Sequence, residues 1–406
     1  MATLPTLGRR AAFWTAAAAL THTLWTSAAP ALTYPLYAQR WHLTPTVTTG
    51  MFAVYPVLVV LTLLLFGNLS DRVGRRAMIL AGIASSLGGV LLFAAAPGVA
   101  WLYAGRALMG IGVGLSAGPA TAALVEFSPP GGQARANVVA TAATALGMGL
   151  ATLVGGALIQ YAPWPLRLNF LVLATVLAAL LAGAWCLPRQ DAAARAAAPP
   201  WRPATLAVPR ALRRVFAASA TAVTAGYALG AEMLSLGAQI ARDLVGSANV
   251  LVNGAVLALL ALAIGVTALA ARGMAGPRAV HRGAAAAVAG QVLLTLAAAL
   301  HSLPLFLLAC VLAGVGYSLL FLGGLTLINA HAPPQHRAGT LSAVYLVGYL
   351  TMGAVALALG VVATHAGLRS ALDVGAPALA ALAVAASALG WRRPAPAPSR
   401  QAEAGT

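Results

Sequence analysis

Long apolar runs separated by short polar turns constrain this chain more than any other feature. Twelve of them can be drawn: 11–36, 46–66, 77–97, 99–124, 136–159, 167–187, 211–237, 247–270, 283–301, 303–330, 339–363 and 370–391. Most reach the roughly 20 residues that an α-helix needs to cross about 30 Å of hydrocarbon. A water-soluble domain carries about 25% charged residues, whereas only 8% of these 406 are charged and 61% are hydrophobic. The pattern predicts an all-α membrane protein of twelve transmembrane helices.

The formal charge of +17 raises nucleic-acid binding as an alternative. All 24 basic residues are arginine, however, and they lie between the apolar runs. No basic patch interleaved with aromatic residues is found, so that class is excluded. The arginines instead report orientation. Loops on the N-terminal side of the spans hold nineteen, the opposite loops hold four (Arg40, Arg167, Arg242, Arg369), and Arg106 lies inside a span. By the positive-inside rule both termini are cytoplasmic. Arg9-Arg10 and the apolar run behind them could also be read as a secretory or twin-arginine signal. A first membrane helix is the better reading, because it makes the set of spans even. Cys186 and Cys310 lie in apolar segments and suggest neither disulfide nor metal site. No cofactor is expected. Without any lysine there is no phosphate-binding Gly-x-x-x-x-Gly-Lys loop, so the chain itself would not be driven by ATP.

The one long polar interruption, Arg189–Pro209, divides the chain into a six-helix bundle over 11–187, a cytoplasmic linker over 188–209, a second bundle over 210–391 and a tail over 392–406. The halves echo each other. Gly273–Arg282 (GMAGPRAVHR) aligns without gaps on Gly67–Arg76 (GNLSDRVGRR), and Arg106–Gly114 parallels Cys310–Ser318. Two pseudo-symmetric bundles around a central site are a transporter architecture.

The turn Gly67–Arg76 carries the most specific motif. Gly67, Leu69, Asp71, Arg72, Gly74, Arg75, Arg76 and Leu80 match the pattern between the second and third helices of the major facilitator superfamily, which this chain resembles. The resemblance implies a transporter, not an enzyme, in a bacterial inner membrane. It would act as a monomer on a small organic substrate, by alternating access. A proton-coupled exporter of drugs or metabolites is the expectation, with an importer or facilitator as the alternative. A membrane sensor or intramembrane enzyme would need a soluble segment or a nucleophile–base pair, and neither is found. The resemblance also implies that Gly67, Asp71, Arg72, Gly74, Arg75 and Arg76 form a conformational latch.

Within the spans, Arg106 opens Arg-x-x-x-Gly-x-Gly-x-Gly, similar to the superfamily's fourth-helix pattern, which implies a lining residue tied to proton coupling. The polar residue that often follows it is here Met109. Gly110, Gly112 and Gly114 allow close helix contact. Gly114-Leu-Ser116-Ala-Gly118 spells a nucleophile elbow, but a membrane helix offers neither the strand-to-helix turn nor the partners it needs. Gly147 to Gly156 approaches the antiporter signature, with Gly155 and Gly156 in register but Ala151 and Thr152 replacing Gly and Pro. His22 and Glu232, with Arg106, are the coupling candidates. Glu232 falls nearer the outer face, within reach of Arg242 or Arg40. Thr26, Tyr55, Tyr227, Asn253, Tyr317, Tyr345 and Tyr349 are the cavity candidates. Tyr345 and Tyr349, four apart, share a helix face.

Overall fold

The computed structural model describes residues 6–67, 69–189, 201, 206 and 208–391. Most of the expected linker and the whole expected tail lie outside them. Apolar side chains on a backbone that must satisfy its own hydrogen bonds give helices throughout. In chain order these are α1 (Arg9–Ala28), α2 (Tyr34–Trp41), α3 (Pro45–Phe66), α4 (Ser70–Val73), α5 (Arg75–Ala95), α6 (Val99–Phe127) and α7 (Gln133–Tyr161). Then follow α8 (Leu168–Trp185), α9 (Arg213–Gln239), α10 (Val250–Ala270), α11 (Gly276–Ala299), α12 (Leu303–His331) and α13 (Pro334–Trp391).

Among the described residues, nine helices are long and apolar enough to cross a membrane: α3, α5 to α8 and α10 to α13. Two boundaries differ from the sequence reading. The run 11–36 stops as a helix at Ala28, just before Pro30, and restarts as α2. Proline cannot donate to the preceding turn and disfavours helix at the residue before it. The last two runs form one hydrogen-bonded stretch, α13, broken at Gly367 where φ is 89° and ψ 160°. Glycine reaches that geometry without steric cost, so the chain turns there without a loop.

The helices pack as two groups. α6 lies against α1, α3 and α5, with α7 on α1 and α8 on α5; in the second half α12 lies against α9, α10 and α11, and α13 against α9 and α11. The groups meet along two seams, α7 against α10 and α3 against α13. In lipid, close backbone approach replaces the hydrophobic drive as the source of helix association. A Cβ on Gly110 would stand 2.6 Å from the Tyr55 carbonyl oxygen, and one on Gly114 2.6 Å from Thr62 Cβ. One on Gly112 would meet the Gly82 carbonyl at 2.5 Å, and one on Gly147 would run into the Thr21 carbonyl. Gly155 faces Asn169 within its own half, and Gly156 faces Leu251 across the α7–α10 seam.

Polar contacts distinguish the two ends of the bundle. At one end Arg9 Nε donates to the Phe127 carbonyl at 3.3 Å and Arg75 meets Glu126 at 2.7 Å. This basic end carries the turn Gly67–Arg76. At the opposite end, Thr46 N–H donates to Thr364 Oγ1 at 2.9 Å, the two hydroxyls lie 2.8 Å apart, and Thr46 Oγ1 donates to the Gly360 carbonyl at 3.2 Å. There too Val250 N–H donates to Gln160 Oε1 at 2.8 Å. Both seams are therefore laced together across the halves at the end away from the arginines.

Candidate functional site

Between the two halves lies a cavity of about 340 Å3, in the range of small-ligand sites. α1 contributes Leu24, Ser27 and Ala28, and α3 contributes Tyr55. α7 supplies Thr141, Thr144, Ala145 and Met148; α10 supplies Leu260, Ala261, Ile264, Gly265 and Ala268. The remaining wall is Tyr227, Gly230 and Leu234 of α9, Tyr317, Ser318, Phe321 and Leu322 of α12, and Tyr349 and Met352 of α13. Thr141 and Ala268 belong to the halves of their helices nearer the basic end, so the chamber extends that way. None of these residues is charged.

One wall is an aromatic cluster centred on Tyr227. Its ring lies 4.9 Å from Tyr349, 5.4 Å from Phe321 and 6.0 Å from Tyr317, centroid to centroid. Such offset and tilted pairs are favourable for aromatic quadrupoles. The spacing of Tyr227, Gly230 and Leu234 puts all three on one face of α9. Ser318 Oγ is buried on the wall without a hydrogen-bond partner.

Arg106 sits one layer behind the opposite wall. It is wholly buried on α6; Nη1 donates to the Ser27 carbonyl at 3.0 Å, and its guanidinium carbon lies 4.4 Å above the Tyr55 ring and 5.8 Å from Phe52. Its Nε and Nη2 have no hydrogen-bond partner.

The sequence profile of the Major Facilitator Superfamily matches residues 14–290. The chain belongs to the Major Facilitator Superfamily. Its family and fold are those of membrane transporters, which are not enzymes. It is similar to the multidrug efflux pump LfrA of Mycolicibacterium smegmatis, 32% identical over 153 residues, which are 37% of this chain and 30% of LfrA. The match thus spans less than a third of that relative's length. Among solved structures, the POT family transporter PepTSo superposes with a TM-score of 0.76 at 14% identity, covering 95% of this chain and 97% of PepTSo. The nucleoside transporter NupG gives 0.71 at 14% identity over 95% and 99% of the two chains. An inward-facing, unoccupied bacterial homologue of the lysosomal transporter Spinster gives 0.69 at 15% identity over 96% and 99%. At these identities the likeness is one of fold.

Of the residues singled out in the sequence, Tyr55, Tyr227, Tyr317 and Tyr349 line the chamber. Tyr345 stands behind it, 6.3 Å from the Phe321 ring. Thr26 does not line it: its hydroxyl donates to the His22 carbonyl at 2.9 Å. Asn253 is near the end away from the arginines, donating to the Ser247 carbonyl at 3.1 Å. His22 is turned toward α5 inside the first half, with Nδ1 2.5 Å from the Ala19 carbonyl and Nε2 3.4 Å from Ser86 Oγ. Glu232 is buried on the face of α9 away from the chamber and accepts from Gln291 Nε2 at 2.6 Å. The expected pairing of Glu232 with Arg242 or Arg40 does not occur; Arg242 pairs with Asp243 at 2.5 Å. In the turn Gly67–Arg76, Gly74 takes the positive φ of 99° that joins α4 to α5, whereas Gly67 stays helical at φ −54°. Asp71 and Arg72 are exposed, and among the described residues Asp71 makes no ion pair. Arg76 lies against the Trp185 ring, 5.4 Å from its centroid.

The sequence reading missed Ser27, Met148, Ser318, Phe321 and Met352. Phe321 was accessible to the same reasoning that picked Tyr345 and Tyr349, because it follows Tyr317 by one helical turn. Methionines and threonines in an apolar run carry no comparable signal.

Proposed function

We propose that this transporter is a proton-coupled exporter of small organic molecules, working as a monomer in a bacterial plasma membrane with both termini in the cytoplasm. The observation that carries the reading is the uncharged, aromatic chamber between two helix groups whose seams are tied by Thr46, Thr364 and Gln160 at one end. Nineteen of the 24 arginines fall on the other side of the spans, and the positive-inside rule makes that side cytoplasmic. The chamber is then open toward the cytoplasm, the state in which an exporter loads. Similarity to a multidrug efflux pump supports the direction. Alternating access would rock the 11–187 and 210–391 bundles about the chamber, with the turn Gly67–Arg76 as the latch.

Coupling is assigned to Glu232. It is a carboxylate buried inside a span with only an amide for a partner, and an ionisable side chain in that setting is a functional candidate. α9 joins it to the substrate, because Tyr227 and Gly230 face the chamber on the same rigid helix. His22, whose two ring nitrogens already have neighbours, is the second candidate. The lack of a carboxylate on the chamber wall favours one competing reading, an uncoupled facilitator.

Vesicles containing the purified protein and trapped pyranine would report proton movement as a panel of small aromatic compounds is added. Proton flux that depends on the compound, and disappears in Glu232→Gln while compound exchange continues, is the expected result. Compound exchange without proton movement in the unaltered protein would leave the facilitator.

A further inference from the structure

Arg106 is a buried cation to which the described residues offer no anion. Only Nη1 has a hydrogen-bond partner, the Ser27 carbonyl; Nε and Nη2 have none. Every described acid is accounted for elsewhere. Glu126, Asp243 and Asp373 pair with Arg75, Arg242 and Arg369, Glu232 takes Gln291, and Asp71 is exposed at the basic end. A buried positive charge without a counter-ion is unfavourable. The ring faces of Tyr55 and Phe52 attract it but cannot accept from the two free N–H edges.

The chamber adjoins this cation. Ser27 and Tyr55, both in contact with Arg106, also line the chamber, and no chamber residue carries charge. Among the described residues, the formal charge in contact with the wall is therefore positive. A lipophilic cation entering the chamber would be repelled by it, and the Tyr55 ring face nearest to Arg106 is already engaged. An anion would be attracted through the wall, in surroundings that screen poorly. Should the Tyr55 ring turn aside, a carboxylate or sulfonate would find two unused donors in the planar fork that suits it.

We infer that the chamber takes small aromatic organic anions, with Arg106 supplying the charge and Tyr227, Tyr317, Phe321 and Tyr349 holding the arene. The inference rests on the reading of the chamber as the substrate site.

Three probes that share one ring system isolate the charge: naphthoate, naphthamide and naphthylmethylammonium. Their affinities for the purified protein are measured by titration calorimetry, and their counterflow in vesicles. Naphthoate is expected to bind at least about tenfold tighter than naphthamide, with the ammonium weakest. Arg106→Gln should erase the advantage of the anion, and Arg106→Lys should keep part of it. Ser318→Asp introduces an acid on the wall and should reverse the order, which tests the inference even where an Arg106 variant fails to elute as a folded monodisperse species. A wild-type preference for the ammonium, or an anion preference that survives Arg106→Gln in folded protein, overturns the inference and leaves transport standing. If none of the probes binds and none shows counterflow, the chamber is not the substrate site, and the proposed function falls with it.

Discussion

The two halves repeat their packing and differ in their chemistry. In the first half, a Cβ on Gly110 of α6 would lie 2.6 Å from the Tyr55 carbonyl of α3, and in the second, one on Gly314 of α12 would lie 2.7 Å from the Leu260 carbonyl of α10. Gly112 and Gly316 press in the same way on α5 and α11, against the Gly82 carbonyl at 2.5 Å and the Ala287 nitrogen at 2.9 Å. The polar residues on the same scaffold do not correspond. Arg106, with Nε and Nη2 unpartnered, stands where the second half has Cys310, whose thiol lies 3.9 Å from Met233 Sδ. The first helix of each half buries a titratable group against the third, but His22 meets a carbonyl and a hydroxyl while Glu232 meets one amide whose Oε1 is itself unpartnered. Backbone contact is thus what the repeat preserves, and the base, the cation and the acid have been distributed asymmetrically over it.

Equal damage to both halves is the strongest test of the shared packing. Gly110→Val and Gly314→Val should each destabilise the protein by about 3 kcal/mol or more, since added atoms meet backbone that cannot yield. Gly118→Val, with nothing within 4 Å of its Cβ position, should change little. Thermal unfolding in detergent measures all three, and tolerance in one half alone would break the comparison. The chemical difference is tested next. Glu232→Gln should abolish proton-driven accumulation while exchange persists, and His22→Gln should lower it far less, because only Glu232 lacks a second partner. Equal uncoupling by both, in vesicles with an imposed pH gradient, would show that the halves share the task.

How much of this was legible follows the same division. Apolar length and glycine spacing are local properties, so the all-helical fold and the close contacts at Gly110, Gly112 and Gly147 could be anticipated, while nine of the twelve expected spans appear among the described residues as helices long and apolar enough to cross a membrane. The turn at Gly367 could not be separated from a loop, because only a positive φ distinguishes them. The direction of a polar side chain was the weak point. Glu232 was placed by depth along its helix, yet its partner was decided by azimuth: Tyr227, Gly230 and Leu234 take the chamber face and leave Glu232 toward α11. Thr26 and Asn253 failed for a related reason, since both satisfy nearby backbone carbonyls. The seam between the halves was not readable at all, because Thr46 and Thr364 are more than 300 residues apart. Thr364→Val removes the side-chain half of that contact. At about 1 kcal/mol per hydrogen bond, it should raise the population open at that end by roughly fivefold to thirtyfold, as read by labelling a cysteine introduced at position 49.

The smallest effect is expected at the turn Gly67–Arg76, where two acids compete for the role of latch. The sequence pattern nominates Asp71, and the structure gives Arg75 a different partner, Glu126 at the end of α6. Side-chain exposures of 27% and 45% make that bridge a surface pair, worth about 0–1 kcal/mol. It joins α5 to α6 inside one half and cannot by itself hold the halves together. Glu126→Gln should therefore lower stability by less than about 1 kcal/mol and leave the balance of access states unchanged. Asp71 is free of any ion pair among the described residues while the opposite seam is closed, which is what a latch would show when disengaged. Asp71→Asn should accordingly leave thermal stability unaltered and shift accessibility toward the basic end, because the state in which the acid engages would lose its contact. Labelling from the two sides of sealed vesicles reads the shift directly. A shift in Glu126→Gln and none in Asp71→Asn would move the latch from the turn to the end of α6.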